Sequence, residues 1–324
     1  MTCNGEANYA AEEQNNTEEN AENSETKKRA KETEGKGVAD LSSVDVLDVL
    51  KEAVENCCDE SEDEQDWVWL ILREEAQQHA YNEPLLASFL FSTILNHKSL
   101  EAALSFHLAN KLASPTISST LLMELFRDAL EESKDFRLAC RRDLIAVKER
   151  DPACTFLLEA FLYFKGYHAL QAYRVSHWLW CQERKAMAYF LHSQITKELH
   201  IDIHPGAKIG HGVFIDHGTG IVIGETSVVG DDVSMLHHVT LGGSGKKYGE
   251  RHPIVHEGVL LGAGATILGR IEIGEHSQIG ACSLVLNDVP SFATAVGVPA
   301  RVIGMRLGRN PASEMQQDFR SSET

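Results

Sequence analysis

The sequence predicts an α + β chain in which an N-terminal α-helical domain is followed by a left-handed parallel β-helix built of hexapeptide repeats. Three observations lead there. From Trp67 to about His200, apolar residues recur at three and four with helix formers between them. Beyond residue 200 that period gives way to one aliphatic residue in every six. The charge is also uneven: residues 1 to 66 hold 20 acidic and 6 basic residues, −14 of the total −18, so the remainder is nearly balanced.

Residues 1–40 are rich in Glu, Asn, Lys and Thr and poor in large apolar residues, which predicts a disordered acidic tail. The run "KKRAK" at 27–31 reads as a solvated charge cluster before it reads as a nuclear signal. The amino terminus has neither the apolar core of a signal peptide nor the Arg-rich, acid-poor make-up of a transit peptide. No apolar run approaches a membrane span, so a cytoplasmic protein without a membrane partner is expected. The acidic balance argues against nucleic acid, which needs a cationic footprint. Seven cysteines (3, 57, 58, 140, 154, 181 and 282) are odd in number and scattered without metal-ligand spacing, which predicts free thiols in a reducing compartment and no metal.

The helical domain is expected over 41–200, with helices at "WVWLILREEAQQHA", "EPLLASFLFSTILN" and "SLEAALSFHLANKL", and starts at "NEPLLAS" and "ASPTISS". The β-helix is expected over 201–305. Its aliphatic beat falls on Ile203, Ile209 and Ile215, then Ile223, Val229, Met235 and Leu241, then Leu261, Ile267, Ile273, Ile279 and Val285. A small or β-branched residue stands four places after most of these, Ala207, Val213, Thr219 and Ser227 among them. Six residues supply one short strand and a corner, so three units close a triangular coil whose turns stack as parallel strands. Insertions into such a coil must project outward. "GGSGKKYGERHPIVHEG", residues 242–258, lacks the beat and is expected as an external loop, and 306–324 as a C-terminal tail.

The other irregularity is "IDHGTGIV", where the beat stretches from six to eight. Asp216 and His217 follow the inward Ile215, so one of them should face outward at a corner. A lone histidine there would be a surface imidazole. Asp202, fifteen residues earlier and close to one coil of eighteen, is expected to meet His217 across stacked coils. A carboxylate on one imidazole nitrogen fixes the tautomer and raises basicity at the other, as an oriented general base requires.

Several segments together carry a family resemblance: "RDPA" (150–153), "FKGYHALQAYRVSHWLW" (164–180), "DIHPGAKIG" (202–210), "DHGTGIVIGE" (216–225), "VTLGGSGK" (239–246), "RHP" (251–253) and "GVPAR" (297–301). The chain resembles the serine O-acetyltransferases of the plant cytosolic type, over roughly residues 67 to 305. The resemblance implies acetyl transfer from acetyl-CoA, as co-substrate, to the hydroxyl of L-serine, giving O-acetylserine for cysteine synthesis. By the same resemblance His217 is the general base and Asp202 its orienting carboxylate. Asp151, Asp216, Arg251 and His252 form the serine pocket, where an ammonium needs carboxylates and a carboxylate needs a guanidinium. Coenzyme A is implied along Gly243, Ser244, Gly262, Ala263 and Ala281, with Arg301 near its nucleotide end.

The family also implies a homo-oligomer, a trimer or a dimer of trimers, with active sites between neighbouring subunits. Members that dock into O-acetylserine sulfhydrylase end in isoleucine, whereas this chain ends in Thr324. Gln278 and Cys282 stand where members usually carry lysine and glycine. The alternatives are a hexapeptide acyltransferase with another acceptor, a weakly active regulatory relative, and a β-helix metal enzyme using His211, His237, His238 and His252.

Overall fold

The computed structural model of the chain describes residues 50–51, 66–245, 248–305 and 307–317. The tail expected over 1–40, the basic run at 27–31, Cys3, Cys57, Cys58 and Thr324 lie outside the described residues. The chain divides into two units, Met1–Glu52 and Ala53–Thr324, and the second carries the helices from Trp67 onward together with the strands.

The helices are α1 (Trp67–Asn82), α2 (Ala87–Leu90), α3 (Leu100–Leu112), α4 (Ser119–Glu132), α5 (Lys134–Arg150), α6 (Leu157–Tyr163), α7 (Lys165–Cys181) and α8 (Lys185–Leu199). Their starts follow capping chemistry, since the side chains of Asp66, Ser99, Ser118 and Ser133 accept first-turn backbone N–H groups of α1, α3, α4 and α5. "EPLLASFLFSTILN" departs from the single helix expected of it. It winds as a 3-10 turn (Pro84–Leu86), the single turn α2 and a wide π turn (Phe91–Leu95). Leu85 and Phe91 are thereby turned to solvent while Leu90 and Ile94 stay buried.

After His200, whose left-handed backbone ends α8, come fifteen short strands among the described residues. Face A stacks β1 (Asp202–Ile203), β4 (Val222–Ile223), β7 (Thr240–Gly242), β10 (Thr266–Leu268) and β13 (Leu284–Val285). Face B stacks β2 (Lys208–Ile209), β5 (Val228–Val229), β8 (Ile254–Val255) and β11 (Glu272–Ile273). Face C stacks β3 (Phe214–Ile215), β6 (Ser234–Met235), β9 (Leu260–Leu261), β12 (Gln278–Ile279) and β14 (Ala293–Gly297), closed by β15 (Ala300–Met305). All pairings within the three faces are parallel except that of β14 with β15. The aliphatic beat fills the coil interior: each of its residues is buried apart from Ile209, which is half-buried.

Two expectations need correction. The projecting loop is shorter than 242–258, because Gly242 closes β7 and Ile254–Val255 is β8, paired with β5 and β11. Val255 keeps the beat six residues before Leu261, but the insertion ahead of it hides the phase. The second concerns coil length. In the first turn Ile203 pairs with Ile223 and Ile215 with Met235, a step of twenty residues, and the step of eighteen first appears between Ile223 and Leu241. Asp202 therefore stacks on Val222 and not on His217.

The helices are fastened to the coil by buried charge. Asp143 of α5 has no exposed side-chain surface and accepts from Arg174 Nη2 at 2.7 Å, Arg174 Nε at 3.1 Å, Gln171 Nε2 at 2.9 Å and the Val213 N–H at 2.9 Å. Arg174 of α7 also donates to the carbonyls of Ile209 and Gly210. Arg150, at the end of α5, donates to Gly212 O, Ser234 Oγ and Asp232 Oδ1. Gly166 lets α7 lie against β3, where a β-carbon would stand 2.1 Å from the Ile215 carbonyl oxygen. Removing one partner of a buried ion pair leaves the other desolvated and unpaired. Asp143→Ala is therefore expected to lower the unfolding free energy by about 3–5 kcal/mol, read as a drop in denaturant midpoint.

Candidate active site

Most of the sequence-derived candidates gather along the two edges of face A, with Asp202 and Arg301 apart from them. At the edge between faces C and A, Asp216 and His217 follow β3. His217 has φ +55° and a side chain 75% exposed, with Nε2 at 3.7 Å from Asp216 Oδ1. Its ring lies 5.9 Å from that of His237, one coil on. Asp151 ends α5 as its C-cap, and its Oδ1 accepts the Ala153 N–H at 2.8 Å, a local turn of the kind expected before Pro152. It is close enough that its charge is felt at Asp216. Burial first, with Asp151 adding to it, raises the Asp216 carboxyl above its ordinary value, against the opposing pull of His217. Among the described residues, no Lys or Arg forms an ion pair with Asp151 or Asp216. Two carboxylates beside an exposed imidazole make a receptor for a small cation bearing a proton donor.

At the opposite edge, between faces A and B, the chain returns from the projecting loop through Arg251 and His252. Arg251 donates from Nη2 to Glu225 Oε2 at 2.7 Å and from Nη1 to Gly249 O at 3.2 Å. Glu225 is held below the usual carboxylate range, first by that hydrogen bond. Thr226 organises the turn. Its Oγ1 accepts the N–H groups of Arg251 and His252 at 3.0 and 3.2 Å, so its hydroxyl proton is directed to His252 Nδ1 at 2.9 Å. The Thr226 N–H reaches the same Nδ1 at 3.1 Å. Nδ1 of His252 therefore accepts, and the ring carries its proton on Nε2. Burial, reinforced by Arg251, lowers the His252 pKa and keeps the ring a neutral donor. It lies over Gly224, where a β-carbon would come within 2.2 Å of it. Arg270 braces the loop base, donating to Thr226 O, His252 O and Glu250 Oε2.

Asp202 belongs to neither edge. It stands on the outer side of β1, and its Oδ1 is bonded to His192 Nε2 of α8 at 2.7 Å. The expected meeting with His217 across stacked coils is thus corrected: within one chain the carboxylate beside His217 is Asp216, and Asp202 is engaged by a helix.

The positions assigned to coenzyme A divide in the same way. Gly262, Ala263 and Ala281 lie on the C/A edge, and Gly243 and Ser244 on the A/B edge, with strands β7 and β10 of face A between them. Gly262 is needed by the coil itself, since a β-carbon there would stand 2.7 Å from the Ala281 nitrogen. Arg301 is exposed on β15, at the end of face C. Gln278 is buried on face C, where its amide donates to Gln316 O of the chain that follows α9 (Pro311–Glu314). Cys282 is exposed on the C/A edge. The four histidines of the metal-enzyme alternative sit at three different edges: His211 at B/C, His237 and His238 at C/A, His252 at A/B.

Glu225, Thr226, Arg270 and His192 were not identifiable as site residues from spacing, because each enters through a contact between different elements of the fold. Only Glu225, closing "GIVIGE" just before a corner, carried a local signal.

Residues 68–172 match the family described as serine acetyltransferase, N-terminal, and residues 252–287 match the bacterial transferase hexapeptide repeat. A serine acetyltransferase of Haemophilus influenzae is 52% identical over 252 residues, covering 78% of this chain and 94% of its own. The chain belongs to the serine acetyltransferase family. Among solved members of the family, the soybean enzyme complexed with serine is 54% identical, with a TM-score of 0.73 over 75% of this chain and 100% of its own. The enzyme of Brucella abortus in complex with coenzyme A is 47% identical, with a TM-score of 0.73 over 75% of this chain and 97% of its own.

The Thr226 hydroxyl holds the Arg251–His252 turn by three hydrogen bonds, so Thr226→Val is expected to loosen it without disturbing the coil. Local opening easier by about 1.4 kcal/mol should speed tryptic cleavage within 243–253 about tenfold while the melting temperature stays unchanged.

Proposed function

We propose that this chain transfers the acetyl group of acetyl-CoA to the hydroxyl of L-serine, giving O-acetyl-L-serine, with His217 as the general base. The observation that carries the proposal is the pair of carboxylates, Asp151 and Asp216, without a Lys or Arg partner among the described residues, beside the exposed His217 imidazole. An α-ammonium seated between them brings a β-hydroxyl to His217. His217 takes the hydroxyl proton as the serine oxygen forms its bond to the thioester carbonyl carbon. The carbon–sulfur bond breaks, and the same imidazole returns the proton to the departing thiolate. Asp202, which stands apart from His217 within one chain, is the orienting carboxylate contributed by a neighbouring subunit, and its Oδ2 makes no hydrogen bond among the described residues. Arg251 and the Nε2–H of His252 receive the substrate carboxylate, and the guanidinium turns part of its fork from Glu225 to do so. Small residues at Gly262, Ala263 and Ala281 leave the C/A edge low enough for the pantetheine arm, with Gly243 and Ser244 across from it and Arg301 toward the nucleotide.

His217 and Arg251 lie on opposite edges of one face. The pocket is therefore completed between subunits, the C/A edge of one coil meeting the A/B edge of the next in a trimer, or a dimer of trimers, of left-handed coils. The described cysteines, Cys140, Cys154, Cys181 and Cys282, are free thiols, which supports a reducing, cytoplasmic setting. Among the described residues no helix is long and apolar enough to cross a membrane.

His217→Ala is expected to lower kcat by a factor of about 10² to 10⁴ with folding retained, and normal turnover with serine would remove His217 from the role. Mixing tests the shared pocket. His217→Ala and Arg251→Ala chains, each inactive alone, should regain activity when refolded together, with about a quarter of the sites intact in random trimers. Lack of recovery would place the whole pocket in one chain.

A further inference from the structure

Asp202 is held from outside the coil. His192, on α8, donates from Nε2 to its Oδ1 at 2.7 Å, at the short end for a nitrogen donor on a carboxylate. The acceptor has no proton to give, so the imidazole proton resides on Nε2. The ring is set in place by its surroundings: its side chain is 19% exposed and its centroid lies 6.1 Å from that of His204. His204 is itself pinned, with Nδ1 accepting the Gly206 N–H at 2.9 Å, Nε2 facing the Tyr189 hydroxyl at 3.3 Å, and Trp180 edge-on at 5.1 Å. Asp202 thus has one oxygen tied to a rigid helix and the other free of hydrogen bonds among the described residues.

We propose that His192 is a positioning residue for acetyl transfer, fixing the Asp202 carboxylate so that its second oxygen is presented to the catalytic imidazole. The inference rests on the orienting role given to Asp202 above. An aspartate on a strand rotates about two side-chain bonds, and an orienting carboxylate that samples several rotamers aligns the base only part of the time. One strong bond from a packed helix removes that freedom before substrate arrives. The same bond, ahead of any other influence, holds the Asp202 carboxyl below the ordinary aspartate value, which keeps it an acceptor.

The test uses the full-length enzyme and three variants, with kcat and KM for serine and for acetyl-CoA followed by CoA release. His192→Phe keeps a ring of similar size and removes the donor. It is expected to lower kcat about ten- to a hundredfold with both KM values within about twofold of the unsubstituted enzyme. His192→Gln, whose amide nitrogen has the reach of Nε2, should restore kcat to within a few fold, which a purely structural role for the ring would not produce. Adding His192→Phe to Asp202→Asn should cost little more than Asp202→Asn alone. If the phenylalanine variant does not fold, His192→Asn, too short to reach Asp202, gives the same comparison. Unchanged kcat in His192→Phe beside an impaired Asp202→Asn overturns the positioning role alone. Unchanged kcat in Asp202→Asn overturns it together with the orienting role beneath it.

Discussion

Asp143 is the point on which the geometry of this chain turns. A carboxylate with no exposed surface is tolerated only when every lone pair is met, and here four N–H groups from α7 and the first coil converge on it. The cluster fixes more than stability. It sets α5 and α7 against the first coil, and α5 ends in Arg150, clamped to Gly212 and Asp232, and then Asp151. The carboxylate of Asp151 can lie beside Asp216 only because the helix carrying it has been fastened to the coil carrying the other. Gly166 completes the arrangement by bringing α7 against the carbonyl of Ile215, one residue before the pair.

The face-A edges divide the chemistry by charge. One edge gathers acids around an exposed imidazole, and the other gathers Arg251, Arg270 and the neutral donor His252. Neither is left bare. The Arg251 guanidinium already commits part of its fork to Glu225, so in the proposed pocket a substrate carboxylate would exchange one charge-assisted bond for another, and discrimination would rest on what the rest of the ligand gains. The raised Asp216 carboxyl works the same way, since a cation arriving there relieves crowding between acids as well as making contacts.

Much of this was legible in the sequence, for a physical reason. A coil of six-residue units writes each inward position directly into the chain, so Ile203, Ile223, Val229 and Leu261 announce the interior without tertiary information. The stretch from Ile215 to Ile223 likewise marked the corner that carries Asp216 and His217. What failed was arithmetic across that corner. The two extra residues lengthen the first turn to twenty, so a count based on coils of eighteen misses the residue that stacks on Asp202, which is Val222. The insertion before Val255 disguised β8 for a related reason, since an outward loop shifts the count without shifting the coil. Contacts such as Asp202 with His192 and Thr226 with His252 left no periodic trace, because they join segments whose approach is decided by packing.

His217 sits at φ +55°, a backbone region in which a residue with a β-carbon is strained by about 1 kcal/mol or more. Its imidazole is therefore aimed by the corner itself more than by side-chain packing, as its exposure also indicates. Glycine would occupy the same corner without that strain. The same left-handed conformation recurs at Asp232, His238, His276 and Cys282, so the strain belongs to the corners of the coil, and relieving it at residue 217 would also remove the imidazole proposed as the base.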